Sequence, residues 1–111
     1  MNGHDIETYT AVAGQYAIYP DAGTGNLSEW LYLALGLCDE AGEVAGKIKK
    51  FYRDGVVDEE AVAQELGDVL WYWSRIVDLL PFSPHQIMQM NLEKLGGRAS
   101  RGTLSGNGDK R

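Results

Sequence analysis

A single cysteine, Cys38, rules out a disulfide within the chain. Its position among apolar residues of a predicted helix fits a reduced, buried thiol in a cytoplasmic protein. Proline is scarce, at three in 111 residues, so long stretches are free to be helical. Basic residues are outnumbered ten to sixteen, for a net charge of -6. General nucleic-acid binding, which rests on neutralising phosphates with Lys and Arg, is thereby disfavoured. No apolar run approaches membrane-spanning length, and no signal-peptide pattern opens the chain. Alternating strands of useful length are missing too. The two histidines, His4 and His85, stand alone without metal-ligand spacing, and the Glu-x-x-His signature of di-iron bundles is missing.

What the chain does have is helical periodicity. Ile6, Tyr9, Val12, Ala13, Tyr16 and Ala17 predict a first helix over about 5–19, broken by Pro20 and the Gly-rich stretch to Asn26. Ser28 is read as the cap of a second helix running to about Tyr52, and Asp58 as the cap of a third reaching Leu80. Ser83, Pro84 and Gln86 signal a fourth, ending at Gly96-Gly97. The segment 97–111 reads as a Gly-rich basic tail, mobile in isolation. One domain over 1–111 is expected, all-α and four-helix bundle-like, with the two long central helices as an antiparallel hairpin. The charge is uneven: from Lys94 onward five basic residues face one acidic, a basic end on an acidic body.

Two acidic pairs carry the chemistry, Glu40 with Glu43 and Glu65 with Asp68. Each is spaced i, i+3, so both carboxylates of a pair leave one side of a helix. Such pairs often belong to solvated faces. Here Val62, Leu66, Val69, Leu70, Trp73, Ile76, Val77 and Leu80 form an apolar band on the third helix, and Glu65 falls at its edge, with Asp68 next to it. Glu60, Gln64, Gly67, Arg75 and Asp78 make up the polar face. On the second helix Glu40 adjoins Leu33, Leu37, Val44 and Phe51. Four carboxylates at a bundle interface are untenable without protons or cations. Oxygen-only donors select Mg²⁺ or Mn²⁺, so a metal site that handles phosphate is expected.

Other residues group around that site. Tyr72 lies one turn beyond Asp68, either flanking a ligand or packing in the core. Lys47 and Lys50 continue the Glu40–Glu43 face, where they either meet a phosphate chain or balance acidic neighbours. Asn91 and Lys94 share a side of the fourth helix, joined by Arg98 if that helix continues, apart from the apolar stripe of Met88, Leu92 and Leu95. Lys94, helped by Arg98 or Arg101, suits a departing phosphate group. Glu43 is the carboxylate best placed to activate water. Gly42 and Gly46 are read as close helix packing, and Trp71, opposite the core band, as a subunit contact.

Glu40-Ala-Gly-Glu43 followed by Glu65-Leu-Gly-Asp68, with Asn91-Leu-Glu-Lys94-Leu, Arg98-Ala-Ser-Arg101-Gly and Gly106-Asn-Gly-Asp109, resembles the MazG motif of all-α nucleotide pyrophosphohydrolases. The resemblance implies Mg²⁺-dependent cleavage of a nucleoside triphosphate between the α and β phosphates. It places Glu40, Glu43, Glu65 and Asp68 at metal-ligand positions, Asn91 and Lys94 at phosphate, and Tyr72 near the nucleoside. It also implies a homodimer or homotetramer with the site near a subunit interface. Within the same superfamily a phosphoribosyl-ATP pyrophosphohydrolase shares the metal logic. A non-catalytic helical interaction module is the rival from another class.

Overall fold

The computed structural model describes residues 5–111, so His4 lies outside the described residues. The described chain is helical, with no strand: α1 (Ile6–Ala13), α2 (Leu27–Asp54), α3 (Glu59–Val77) and α4 (Pro84–Arg101), plus a 3₁₀ turn over Gly14–Tyr16.

Local chemistry sets most of the boundaries. Asp5 caps α1 by accepting from the Thr8 N–H at 2.9 Å, and Asp58 caps α3 by accepting from the Ala61 N–H at 3.0 Å. Ser83 and Gln86 form the expected capping box, with Pro84 in the first turn of α4. Gly55 ends α2 in the left-handed conformation, at φ 77°. Three expectations shift. Asn26, rather than Ser28, occupies the cap position of α2, while the Ser28 hydroxyl donates to Asp21 at 2.6 Å. The first helix tightens at Gly14, over which the Arg75 guanidinium lies. The fourth continues through Gly96-Gly97 to a left-handed Gly102, since neither of the two glycines takes the positive φ that would end it.

Packing links α2 with α3, α3 with α1, and α1 with α4. The four-residue connection between Asp54 and Glu59 makes α2 and α3 the expected antiparallel hairpin. The short α1 docks on α3 through Trp71, whose indole N–H donates to the Ala13 carbonyl at 3.1 Å. Trp71, expected as a subunit contact, thus makes a contact inside the chain. Arg75, expected on the polar face of α3, is buried there as well and pairs with Asp78. His85 is likewise not isolated: its Nδ1 lies 3.1 Å from Glu7, tying the start of α4 to α1.

Between the hairpin and the loop before it sits a polar knot. Glu29 is fully buried and accepts from the Tyr19 hydroxyl at 2.6 Å and from the Gly23 and Gly25 N–H groups at 2.8 and 2.9 Å. Gly23 and Gly25 have φ of 81° and 69°, which lets the loop curl its amides onto one carboxylate. Tyr19 then stacks on Tyr32, with ring centroids 4.9 Å apart, and meets Trp71 edge-on.

The apolar residues, by contrast, are left open. Ala13, Tyr19, Leu33, Val77 and Pro84 are the buried apolar side chains among the described residues. Leu66, Leu70 and Leu80, expected in the core band of α3, are exposed, as are Met88, Leu92 and Leu95 on α4. Cys38 is exposed too, against expectation, because α4 packs on α1 and leaves that stretch of α2 uncovered. The radius of gyration is 16.6 Å, against about 13 Å for a compact chain of this length.

Candidate metal centre

Glu40 projects from the middle of α2, and Glu65 and Asp68 from α3 across the hairpin. One carboxylate oxygen from each lies within 4.8 Å of the others. Glu40 and Glu65 are half-buried and Asp68 is exposed. Partial burial, a hydrogen bond shared with Glu65, and the charges of Asp68, Glu65 and Asp39 raise the Glu40 carboxyl from 4.5 to about 7. Near neutral pH the triplet thus carries more negative charge than it can hold without a proton or a cation. Three convergent oxygen donors with open sides fit a hard divalent cation, which favours carboxylate ligands and retains positions for water and phosphate. The Tyr9 phenol of α1, raised by burial and by the charge of Asp68, borders the same cluster.

The fourth carboxylate of the expected set stands apart. Glu43 is exposed on α2, outside the triplet.

One helical turn along the hairpin the character changes. Gly36 lies four residues before Glu40 and Tyr72 four after Asp68, and in antiparallel helices both steps run the same way, about 6 Å along the axis. There Tyr32, Leu35, Gly36, Asp39 and Tyr72 line a cavity of about 390 Å³. The Tyr72 ring lies against Gly36, where a Cβ would come within 2.1 Å of it. Burial, then Tyr32, then the charges of Glu40 and Asp39 raise the Tyr72 phenol. Tyr72 thus packs against Gly36 and also lines the cavity.

The small-residue patch expected at Gly42 and Gly46 does not pack closely. A Cβ at either position would meet no atom within 4 Å, so the close helix approach belongs to Gly36 instead.

The cations expected around the site are dispersed. Lys47 is half-buried and Lys50 exposed toward the far end of α2. Asn91 and Lys94 line a shallow cavity of about 300 Å³ with Ile87 and Met90, on α4. Arg98 does extend that side of α4, but it is buried under the chain's own C-terminal segment. Its guanidinium donates to the Asp109 carbonyl at 2.8 Å, the Gly108 carbonyl at 3.3 Å and the Asp109 carboxylate at 3.3 Å. Arg101 donates to the Arg111 carbonyl at 2.8 Å. The tail expected to be mobile is therefore tied down. The helix that carries these α4 cations packs on α1 rather than on the α2–α3 hairpin that carries the carboxylate triplet.

Several residues of this neighbourhood escaped the sequence reading. Asp39 and Tyr32 follow from Gly36 at helical spacing, a signal present once Gly36 rather than Gly42 is seen as the point of close approach. Glu29 carries only the weak signal of an acid in a first helical turn behind two loop glycines. Asp109 is the lone acid of a basic tail.

The fold and site define an all-helical protein with an acidic cluster on a helix hairpin beside an aromatic cavity. A family model, the MazG nucleotide pyrophosphohydrolase domain, matches residues 29–102, and the chain belongs to that family. The match includes the carboxylate triplet, the aromatic cavity and the whole of α4. The chain is also 41% identical over 112 residues to the "Gene 37 protein" of Mycobacterium phage L5, covering 96% of this chain and 98% of the relative. No solved structure matches it. Among the described residues, no helix is long and apolar enough to cross a membrane.

Proposed function

We propose that the protein is a nucleotide pyrophosphohydrolase that splits a nucleoside or deoxynucleoside triphosphate between the α and β phosphates into monophosphate and pyrophosphate. The observation that carries this reading is the convergence of Glu40, Glu65 and Asp68 within 4.8 Å, one turn from a tyrosine-lined cavity, in a MazG family member.

The residues divide the work. Glu40, Glu65 and Asp68 would hold Mg²⁺, or Mn²⁺, which when bound supplies positive charge against the phosphate oxygens. Glu43, outside the triplet, is the carboxylate left to orient or deprotonate the attacking water. Tyr72 and Tyr32 offer ring faces and edges to the nucleoside, one turn from the carboxylates. Lys47 and Lys50 on α2, with Asn91 on α4, bind along the phosphate chain. Lys94, with Arg98 and Arg101, stabilises the departing pyrophosphate.

The α4 residues reach a carboxylate triplet when a second copy presents them, so the working form is a homodimer or a tetramer built from dimers. Supporting this are the exposed Leu66 and Leu70 beside the acidic pair of α3, the exposed apolar stripe of α4, and the chain's extended shape. Uncovered apolar surface on this scale marks an interaction site.

The test is a panel of NTPs and dNTPs incubated with the protein and Mg²⁺ and scored for pyrophosphate. At least one nucleotide should yield monophosphate and pyrophosphate, with turnover lost on chelation. Glu40→Gln and Asp68→Asn should each lower kcat by about a hundredfold or more, with helicity by circular dichroism unchanged. Orthophosphate as the product, or full activity in both variants, refutes the assignment.

A further inference from the structure

Lys94 and Arg98 make a cationic pair one turn apart on α4, and the chain fills it with a residue of its own. The segment after Gly102 folds back along the helix, bringing Asp109 to the pair. Its carboxylate lies 3.4 Å from the Lys94 ammonium and 3.3 Å from the Arg98 guanidinium. Arg98 is only 5% exposed, and its Nε is buried with no hydrogen-bond partner among the described residues. Burying a guanidinium requires a counter-charge. Asp109 is the acid that the fold provides, and these two cations hold its carboxyl below the usual carboxylate range.

The hold is asymmetric. The backbone of the segment is fastened through carbonyls: Arg111 takes those of Thr103, Leu104 and Gly108, and Arg98 those of Gly108 and Asp109. The Asp109 carboxylate itself is 85% exposed, so solvent reaches the ion pair directly. The Lys94–Asp109 half of the contact is exposed on both sides, and a pair of that kind is weak and exchanges readily. A phosphate offers two or three oxygens to the same donors, where a carboxylate offers two at a fixed spread, and it can engage ammonium and guanidinium together.

We propose that Asp109 is a tethered stand-in for a phosphate. It occupies the Lys94–Arg98 anion site in the free protein, and a phosphate-type ligand displaces it, freeing the tail from α4. The identification of that ligand as the pyrophosphate end of a nucleotide rests on the function proposed above. Anion capture and tail release do not.

Inorganic pyrophosphate without divalent metal is the probe, since the metal-free carboxylate triplet repels anions and leaves the cationic pair to report. Calorimetry on the full chain should show that Asp109→Asn binds pyrophosphate about two- to fivefold more tightly than the unaltered protein, the range set by an exposed ion pair. Lys94→Gln, an exposed substitution that leaves the buried Arg98 in place, should weaken binding. Hydrogen exchange should show residues 103–111 losing protection when pyrophosphate is added to the unaltered protein. Unchanged or weaker affinity in Asp109→Asn, or a tail that stays equally protected with pyrophosphate bound, overturns the proposal. If pyrophosphate displaces the tail but no nucleotide is cleaved, the displacement stands and the enzymatic reading fails. If nucleotides are cleaved and Asp109→Asn leaves pyrophosphate affinity unaltered, the reverse holds.

Discussion

Glu29 has no solvent exposure at all and is ionised where it sits. Burial works against its charge, but the Tyr19 hydroxyl, the amides of Gly23 and Gly25, and the charge of Arg75 outweigh burial and lower its carboxyl from the usual 4.5. The folded form therefore holds this proton less tightly than the unfolded chain, so folding is favoured by ionisation. Its contribution is complete above about pH 4.5 and is lost as pH falls from there through the lowered folded value. Urea denaturation across pH 3–7 should show that loss. Glu29→Gln should be less stable at pH 7 by about 1–3 kcal/mol, through imperfectly satisfied buried donors, and its stability should vary less over the acid range. Sequence alone pointed elsewhere at this scale. The carboxylate pairs were legible because their spacing puts two charges on one helix side beside apolar positions. Glu29 was not, because its donors come from a loop whose curl depends on two positive-φ glycines. Arg75 was misplaced for a related reason: helical angle shows which residues share a face, not which face a neighbouring helix will cover.

Among the elements, the helices were readable almost to the residue where capping chemistry is local. Asp58 and Ser83 start α3 and α4 as their sequence contexts predict. The end of α4 was harder, because Gly96-Gly97 carries a stop signal that the tail overrides. Arg98 and Arg101, beyond the two glycines, bind tail carbonyls and draw the last turn into helical form. A helix that crosses two glycines is held against their conformational freedom. At Gly96 a Cβ would meet no atom within 4 Å, so Gly96→Ala should stabilise the protein by about 0.5–1 kcal/mol in thermal or urea unfolding. Gly97→Ala should gain less, since its Cβ would come within 2.9 Å of the Arg101 guanidinium and displace it. Equal gains at both positions would show that Arg101 does not press on this turn.

Over the whole molecule, the hairpin and the all-helical class could be read from periodicity, but the way the chain closes could not. An apolar band reads the same whether its cover is another helix of the same chain or of a second copy. Here Leu66, Leu70 and the α4 stripe remain uncovered, while the polar knot at Glu29 and the docking of α1 hold the chain's own core. Sedimentation should give a mass of at least two chains at micromolar concentration. Leu66→Lys together with Leu70→Lys should shift it toward one chain and reduce any nucleotide cleavage in proportion, with α-helical content largely kept. A monomeric unaltered protein would mean that the α4 cations and the carboxylate triplet never meet.

The contact between Gly36 and the Tyr72 ring has an evolutionary corollary. Any side chain at position 36 collides first with an aromatic wall of the cavity, so that wall cannot be inherited unchanged once the glycine is lost. The two positions form one heritable unit. While the ring keeps this position, residue 36 is confined to glycine, and a change in the shape of the cavity has to begin with the ring.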